Sequence, residues 1–152
     1  MHDERYTAAT GPYLILLALV AGLLTFSTAC TNQAPGPDGA WDGVYGRIWV
    51  LEQVEDRTVV DGSTPTLVLE PDGKLHGKGG VNSFFGSYER QGESGLRFSP
   101  LGSTTMAGPP ALMDQEAAYL RLLERADGFR LRGGTLELTV AGEPALVFAA
   151  KR

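Results

Sequence analysis

Beyond residue 46 the chain alternates apolar and polar positions in short runs separated by glycine, proline and aspartate. Arg47–Val54 (RIWVLEQV) is rich in β-branched and aromatic residues and predicts a first strand. In Thr66–Gly79 two apolar runs flank Pro71-Asp72-Gly73, a turn sequence, so a hairpin is expected with Leu67 and Leu69 on one face. Phe84–Gly102 predicts two more strands around a Gln-Gly-Glu-Ser-Gly loop. By the period of two, Phe84 and Tyr88 share one face, Phe85 and Ser87 take the other, and Leu96 and Phe98 alternate in the second strand. The period then changes. Over Ala111–Ala126, Met113, Ala117, Leu120 and Leu123 recur at three- and four-residue steps, flanked by Leu112 and Tyr119. Pro109-Pro110 stand at the entrance of this predicted helix and Gly128 at its exit. Gly128–Val140 reads as a hairpin about Gly133-Gly134, pairing Arg132 with Thr135, Leu131 with Leu136, Arg130 with Glu137 and Phe129 with Leu138. Ala145–Ala150 follows the turn at Gly142-Glu143-Pro144 as a closing strand. The order predicts an α+β domain: a curved antiparallel β-sheet or half-barrel of about seven or eight short strands with one α-helix (about 110–126) packed on its concave or open side.

The N-terminal third follows a different pattern. Tyr13–Phe26 is an apolar run without charge, the length of a signal-peptide core and shorter than the roughly 20 residues of a spanning helix. Small residues Ser27, Thr28 and Ala29 follow, then Cys30. The segment resembles a bacterial lipoprotein signal, although Ser27 stands where leucine is usual and Asp3 and Glu4 outnumber Arg5. The resemblance implies cleavage before Cys30, a lipid on that cysteine, and a body tethered outside the cytoplasm at a membrane. Thr31–Gly43 is rich in proline, glycine and small polar residues and reads as a flexible tether. The expected organisation is a signal over 1–29, a lipidated cysteine and tether over 30–45, and a domain over 46–152.

Composition narrows the chemistry. The net charge is −5, with no cluster of five or more Lys/Arg, which argues against a nucleic-acid surface. Past Cys30 the chain stays net negative, so lipid rather than charge is expected to hold it to a leaflet. One cysteine makes no internal disulfide, and His2 and His76 are the only histidines, so neither a metal site nor a cofactor is expected. The glycine-rich stretch Gly77–Glu89 (GKGGVNSFFGSYE) fails as a phosphate loop. Gly77-Lys78 is followed by Gly79 rather than a hydroxyl residue, and strands rather than a helix come next. Its glycines read as bulge and turn residues. His76 reads as a strand-end surface histidine with no triad around it. Asn82 reads as a backbone-bonding residue at a tight corner. Asp114 and Glu116 lie two apart on the helix and point away from each other, which suggests a solvated first turn. No catalytic residue is expected.

Three blocks in order, GKGGVNSFFGSY (77–88), STTMAG (103–108) and MDQEAAYLRLL (113–123), followed by LELTV and LVF, resemble the META/HslJ-like domain over about 47–150. Gly79, Gly80, Asn82, Phe85, Gly86 and Tyr88 match its first block. Thr104 or Thr105 (Thr105 preferred), Met106 and Ala107 match its second, and Glu116 its helix. Two positions that carry cysteine in the usual form are Val81 and Gly108 here. The resemblance suggests that these two side by side replace a cross-fold pair. It implies a small envelope or secreted protein, in some cases linked to heat shock, antibiotic tolerance or virulence, and supplies no catalytic set. The expected function is a non-enzymatic envelope lipoprotein, monomeric, carrying a binding or structural module. An inhibitor or partner module for an exported hydrolase and a binder of a small apolar ligand in the mouth of the sheet are the alternatives.

Overall fold

The computed structural model describes residues 39–152, so the apolar run, Cys30 and most of the tether lie outside the described residues. A one-turn helix α1 (Gly39–Asp42) leads into β1 (Trp49–Val54) and a two-residue β2 (Arg57–Thr58). The hairpin β3 (Thr66–Leu69) and β4 (Lys74–Lys78) follows, then β5 (Ser83–Gln91), β6 (Gly95–Phe98) and a short β7 (Gly102–Ser103). The helix α2 (Pro110–Arg125) precedes β8 (Gly128–Arg132), β9 (Thr135–Val140) and β10 (Glu143–Ala150). The pairing order is β10-β9-β8-β6-β5-β4-β3-β1, and β1 pairs again with β10. Eight antiparallel strands therefore close into a barrel, with β2 and β7 as short additions.

The expectation of a half-barrel is corrected by that last pairing. Trp49 to Val54 run against Ala150 to Leu146, and β10 uses its other edge for β9. Register shifts at Leu51/Gln53 and at Pro144/Leu146 bend these strands, as bulges do at barrel corners. Nothing local in the sequence announces a contact between strands about a hundred residues apart, whereas turns fix the hairpins. The β8–β9 pairing is the one the alternation predicts, from Arg132 with Thr135 to Phe129 with Leu138, and Gly133 and Gly134 both take positive φ, the geometry of a primed two-residue turn. Between β6 and β8 the ladder is thin: a single pair, Gly95 with Gly128, is flanked by Leu96 N–H donating to Asp127 O and Phe129 N–H to Ser94 O.

Non-strand elements fill the barrel. The buried face of α2 is Glu116, Tyr119, Leu122 and Leu123, continued by Ala126 just past its end, so the expected stripe is turned: Ala117 is exposed, and a carboxylate takes a core position. The Tyr119 ring meets Phe84 edge-on at 5.6 Å and Phe148 at 6.1 Å, and its hydroxyl donates to Thr66 O at 3.2 Å. Burial pushes the phenol well above its usual pKa.

The second filler is a correction to the tether. Trp41, placed by composition in a flexible segment, is fully buried. Its indole stacks on Tyr45 and Tyr88 at 5.5 and 5.8 Å and meets Phe129 edge-on at 4.6 Å, with the Arg90 guanidinium 5.2 Å from its ring. Trp41 Nε1 donates to Gly92 O, and Trp49 Nε1 to Val44 O at 2.9 Å. Flanking glycines and prolines masked one large apolar anchor, and the folded body starts by residue 39.

Removing that anchor tests the correction. Trp41→Ala should lower unfolding stability by about 3–5 kcal/mol in urea titration, the cost of emptying a large aromatic site. A change below about 0.5 kcal/mol, as expected for a surface or tether position, would return residues 39–45 to the tether.

Candidate functional site

Gly79, Gly80, Asn82, Met106 and Glu116, among the residues that sequence singled out, converge where α2 meets the β4–β5 corner. The corner is Gly79–Asn82, closed by Gly79 N–H donating to Asn82 O at 2.7 Å. Gly80 holds φ +142°, a backbone that side-chain-bearing residues rarely adopt. Gly79 is required for space: a Cβ there would come within 2.5 Å of Glu116 Cγ. The corner can thus lie flat on the helix and turn its amides toward one carboxylate.

Glu116 Oε2 accepts from Val81 N at 2.9 Å and Asn82 N at 2.7 Å, and Oε1 accepts from Asn82 Nδ2 at 2.7 Å. Asn82 spends its whole side chain here. Its second amide hydrogen goes to Met106 O at 3.1 Å, while Oδ1 accepts from Met106 N at 2.7 Å and from the Thr104 hydroxyl at 2.8 Å. Both donors and both acceptor sites of the amide are occupied. The opposite amide orientation would set oxygen against the carboxylate and nitrogen against an N–H, so the partners fix it. Thr104 is tied in turn: its N–H donates to Ser83 O and its Oγ1 accepts from Ser83 N. Three chain segments are thereby clamped by two buried polar side chains.

The solvated reading of Glu116 is therefore corrected. It sits inside, on the corner, while Asp114 is exposed and borders a separate cleft of about 180 Å³ with Val54, Arg57 and Val60. The two carboxylates do not meet. Thr104, rather than Thr105, makes the bonds of the second block; Thr105 and Ala107 are exposed, and Met106 contributes its backbone while its side chain stands 57% exposed. Gly86 leaves room for Leu101, whose Cδ2 would lie 2.7 Å from a Cβ there. Tyr88 is buried, donates to Glu70 O at 2.7 Å, and has its pKa pushed up by burial. Phe85 does not pin the corner either: it points outward, 62% exposed, with its ring over Gly102. His76 is exposed on β4, paired with Val68 and Phe85.

Sequence reading missed Gln115. Its Oε1 accepts from Val60 N at 2.5 Å and its Nε2 donates to Ser63 Oγ at 2.8 Å, fastening the loop after β2 to the helix. A glutamine facing a turn-rich loop carries no local signal of this.

An open cleft of about 410 Å³ lies above the clamp, lined by Asn82, Thr104, Met106, Met113 and Glu116 among others. Its polar floor is already bonded within the protein. Among the described residues no group of three His, Cys, Asp or Glu side chains is placed to hold a metal ion.

The family model of the META domain matches residues 43–152. The chain belongs to the META-domain family. It is also similar to a solved structure, the NMR structure of a protein from Burkholderia xenovorans, at 30% identity and TM-score 0.59 over 78% of this chain and 92% of that one. A second NMR structure matches at 19% identity and TM-score 0.56, over 71% of this chain and 92% of that one, and supports the fold alone. No curated protein matches the sequence significantly. Within this META domain, Val81 and Gly108 do touch: a Cβ at Gly108 would lie 3.4 Å from Val81 Cβ and 2.5 Å from its Cγ2. The valine methyl fills the space that a second side chain would need.

That distance is close to the 3.5–4.5 Å Cβ separation of disulfides. The double variant Val81→Cys/Gly108→Cys should therefore oxidise spontaneously, losing about two mass units, and gain about 2–4 kcal/mol in denaturant titration relative to its reduced form. Two thiols that stay reactive under oxidising conditions would contradict the contact.

Proposed function

We propose that the protein is a non-enzymatic lipoprotein of the bacterial cell envelope, held to a membrane by lipid on Cys30, whose META domain acts through its exterior. The observation that carries this reading is the filled interior. Trp41, Trp49, Phe84, Tyr119 and Phe148 occupy the barrel with almost no exposure, which leaves the apolar-ligand alternative without its expected site. The buried polar groups Asn82 and Glu116 spend their capacity on backbone and on each other, so they serve the fold rather than a substrate. His76 stands in the open between Val68 and Phe85, two apolar strand neighbours that offer it no proton partner. Exposed Phe85 is the kind of aromatic anchor that the inhibitor alternative calls for, although it sits on a strand rather than a loop. A part in envelope stress or antibiotic tolerance belongs to this proposal as the process such an exterior module serves.

The anchor is tested in the host bacterium by metabolic labelling with a palmitate analogue. The wild-type chain should take up label and fractionate with membranes; Cys30→Ala should lose the label and run at the uncleaved mass. Label retained by Cys30→Ala would overturn the lipoprotein assignment.

A further inference from the structure

The outer face of the barrel across β10, β1, β3, β4 and β5 has an unusual composition. Strand pairing lines up Ala149, Val50, Thr66, Lys78 and Ser83 in one outward row. Beside it, Val68, His76 and Phe85 form a second, with Ile48 on the same groove and Lys151 joined to Ile48 through its backbone N–H at 2.8 Å. The solvent face of an antiparallel sheet ordinarily alternates toward polar residues. Here Phe85 and Ile48 are 62% and 42% exposed, and they flank a shallow groove of about 400 Å³ floored by Val68.

Charge is distributed just as unevenly. The chain carries net charge −5, yet neither row contains an acidic residue. Lys78 lies in the first row, and the exposed Lys151 is bonded through its backbone to Ile48 beside the second. The ion pairs among the described residues, Arg57 with Glu55 and Lys74 with Asp72, involve neither of these lysines. The carboxylates of the β3–β4 hairpin, Glu70 and Asp72, sit at its turn.

We propose that this face rests on an anionic lipid bilayer, with Phe85 and Ile48 entering the headgroup boundary and Lys78 and Lys151 meeting lipid phosphates. A second copy of the chain is a poor occupant, because two such faces would set cations against cations. An anionic bilayer answers both features at once, taking apolar side chains at its boundary and drawing lysine and arginine to its surface. The proposal deepens the exterior reading above and rests on the lipid anchor only for access to a membrane. It also revises the sign of the electrostatics: net charge repels an anionic leaflet, but this face does not.

The experiment uses the full chain labelled at isoleucine methyls and histidine rings; the isoleucines are two, Ile15 and Ile48, and the histidines two, His2 and His76. Bicelles of phosphatidylcholine, alone or mixed with phosphatidylglycerol, carry a headgroup spin label. The Ile48 methyl and the His76 ring should broaden in the phosphatidylglycerol bicelles and stay sharp in the neutral ones. Lys78→Glu/Lys151→Glu should weaken that effect about tenfold or more with the amide spectrum of the barrel unchanged. Ile15 reports the apolar run separately. An Ile48 methyl that stays sharp on anionic bicelles while Ile15 broadens would overturn the proposal. So would equal broadening on both compositions, or perturbation of Ile48 and His76 by a lipid-free envelope protein fraction but not by bicelles. Failure of Cys30 labelling leaves this readout intact, because the bilayer is added from outside.

Discussion

One buried carboxylate organises the domain. Burying a charge is costly unless hydrogen bonds replace water, and Glu116 receives three: two backbone amides and one side-chain amide. Those bonds exist only if the corner Gly79–Asn82 lies against α2, and the corner lies there only because Gly79 has no Cβ. Asn82 then passes the constraint on to Thr104 and Met106. The helix that fills the barrel, the hairpin that leads into β5, and the loop before the helix are thereby set by one group. In this chain no disulfide assists them, since Val81 and Gly108 meet only by van der Waals contact. The Asn82 side-chain amide, paired with the backbone of Met106, holds what a cross-link could hold.

The second constraint is closure. Pairing of β1 with β10 leaves neither of these strands as a free sheet edge, which limits strand-to-strand aggregation and strand addition there, while the single-pair seam between β6 and β8 is the thin point of the closure. The interior is filled from both directions, by Trp41 of the N-terminal segment and by Tyr119 of the helix. In the proposed reading, recognition falls to the outer faces, and these are not alike: the face bearing Phe85 and Ile48 carries Lys78 and Lys151 in a chain of net charge −5.

Much of the architecture was legible because its causes are local. Pro71-Asp72-Gly73 and Gly133-Gly134 fix two hairpins, and alternation places Leu67, Leu69, Phe84 and Tyr88 inside. The parts that were not legible depend on partners distant in sequence. Barrel closure joins the first strand to the last. Glu116 reads as a surface acid until the corner 34 residues away supplies its donors, as the separation of Glu116 and Asn82 shows. Trp41 reads as tether because its neighbours are glycine, proline and aspartate, while the rings that hold it come from β5 and β8. Phe85 matches the family pattern, yet the period of two, which is a local signal, already places it on the outer face where the structure has it.

Native-state hydrogen exchange at Val81 and Asn82 tests the central claim most directly. These two amides donate to Glu116 rather than to a strand, so ladder structure does not protect them. If the carboxylate is the element on which the domain depends, both should exchange only through global unfolding, with the same free energy and denaturant dependence as amides of the barrel core such as that of Leu136. Exchange through a low-energy local opening, with the barrel amides still protected, would show that the corner is an ornament on a fold held together by other means.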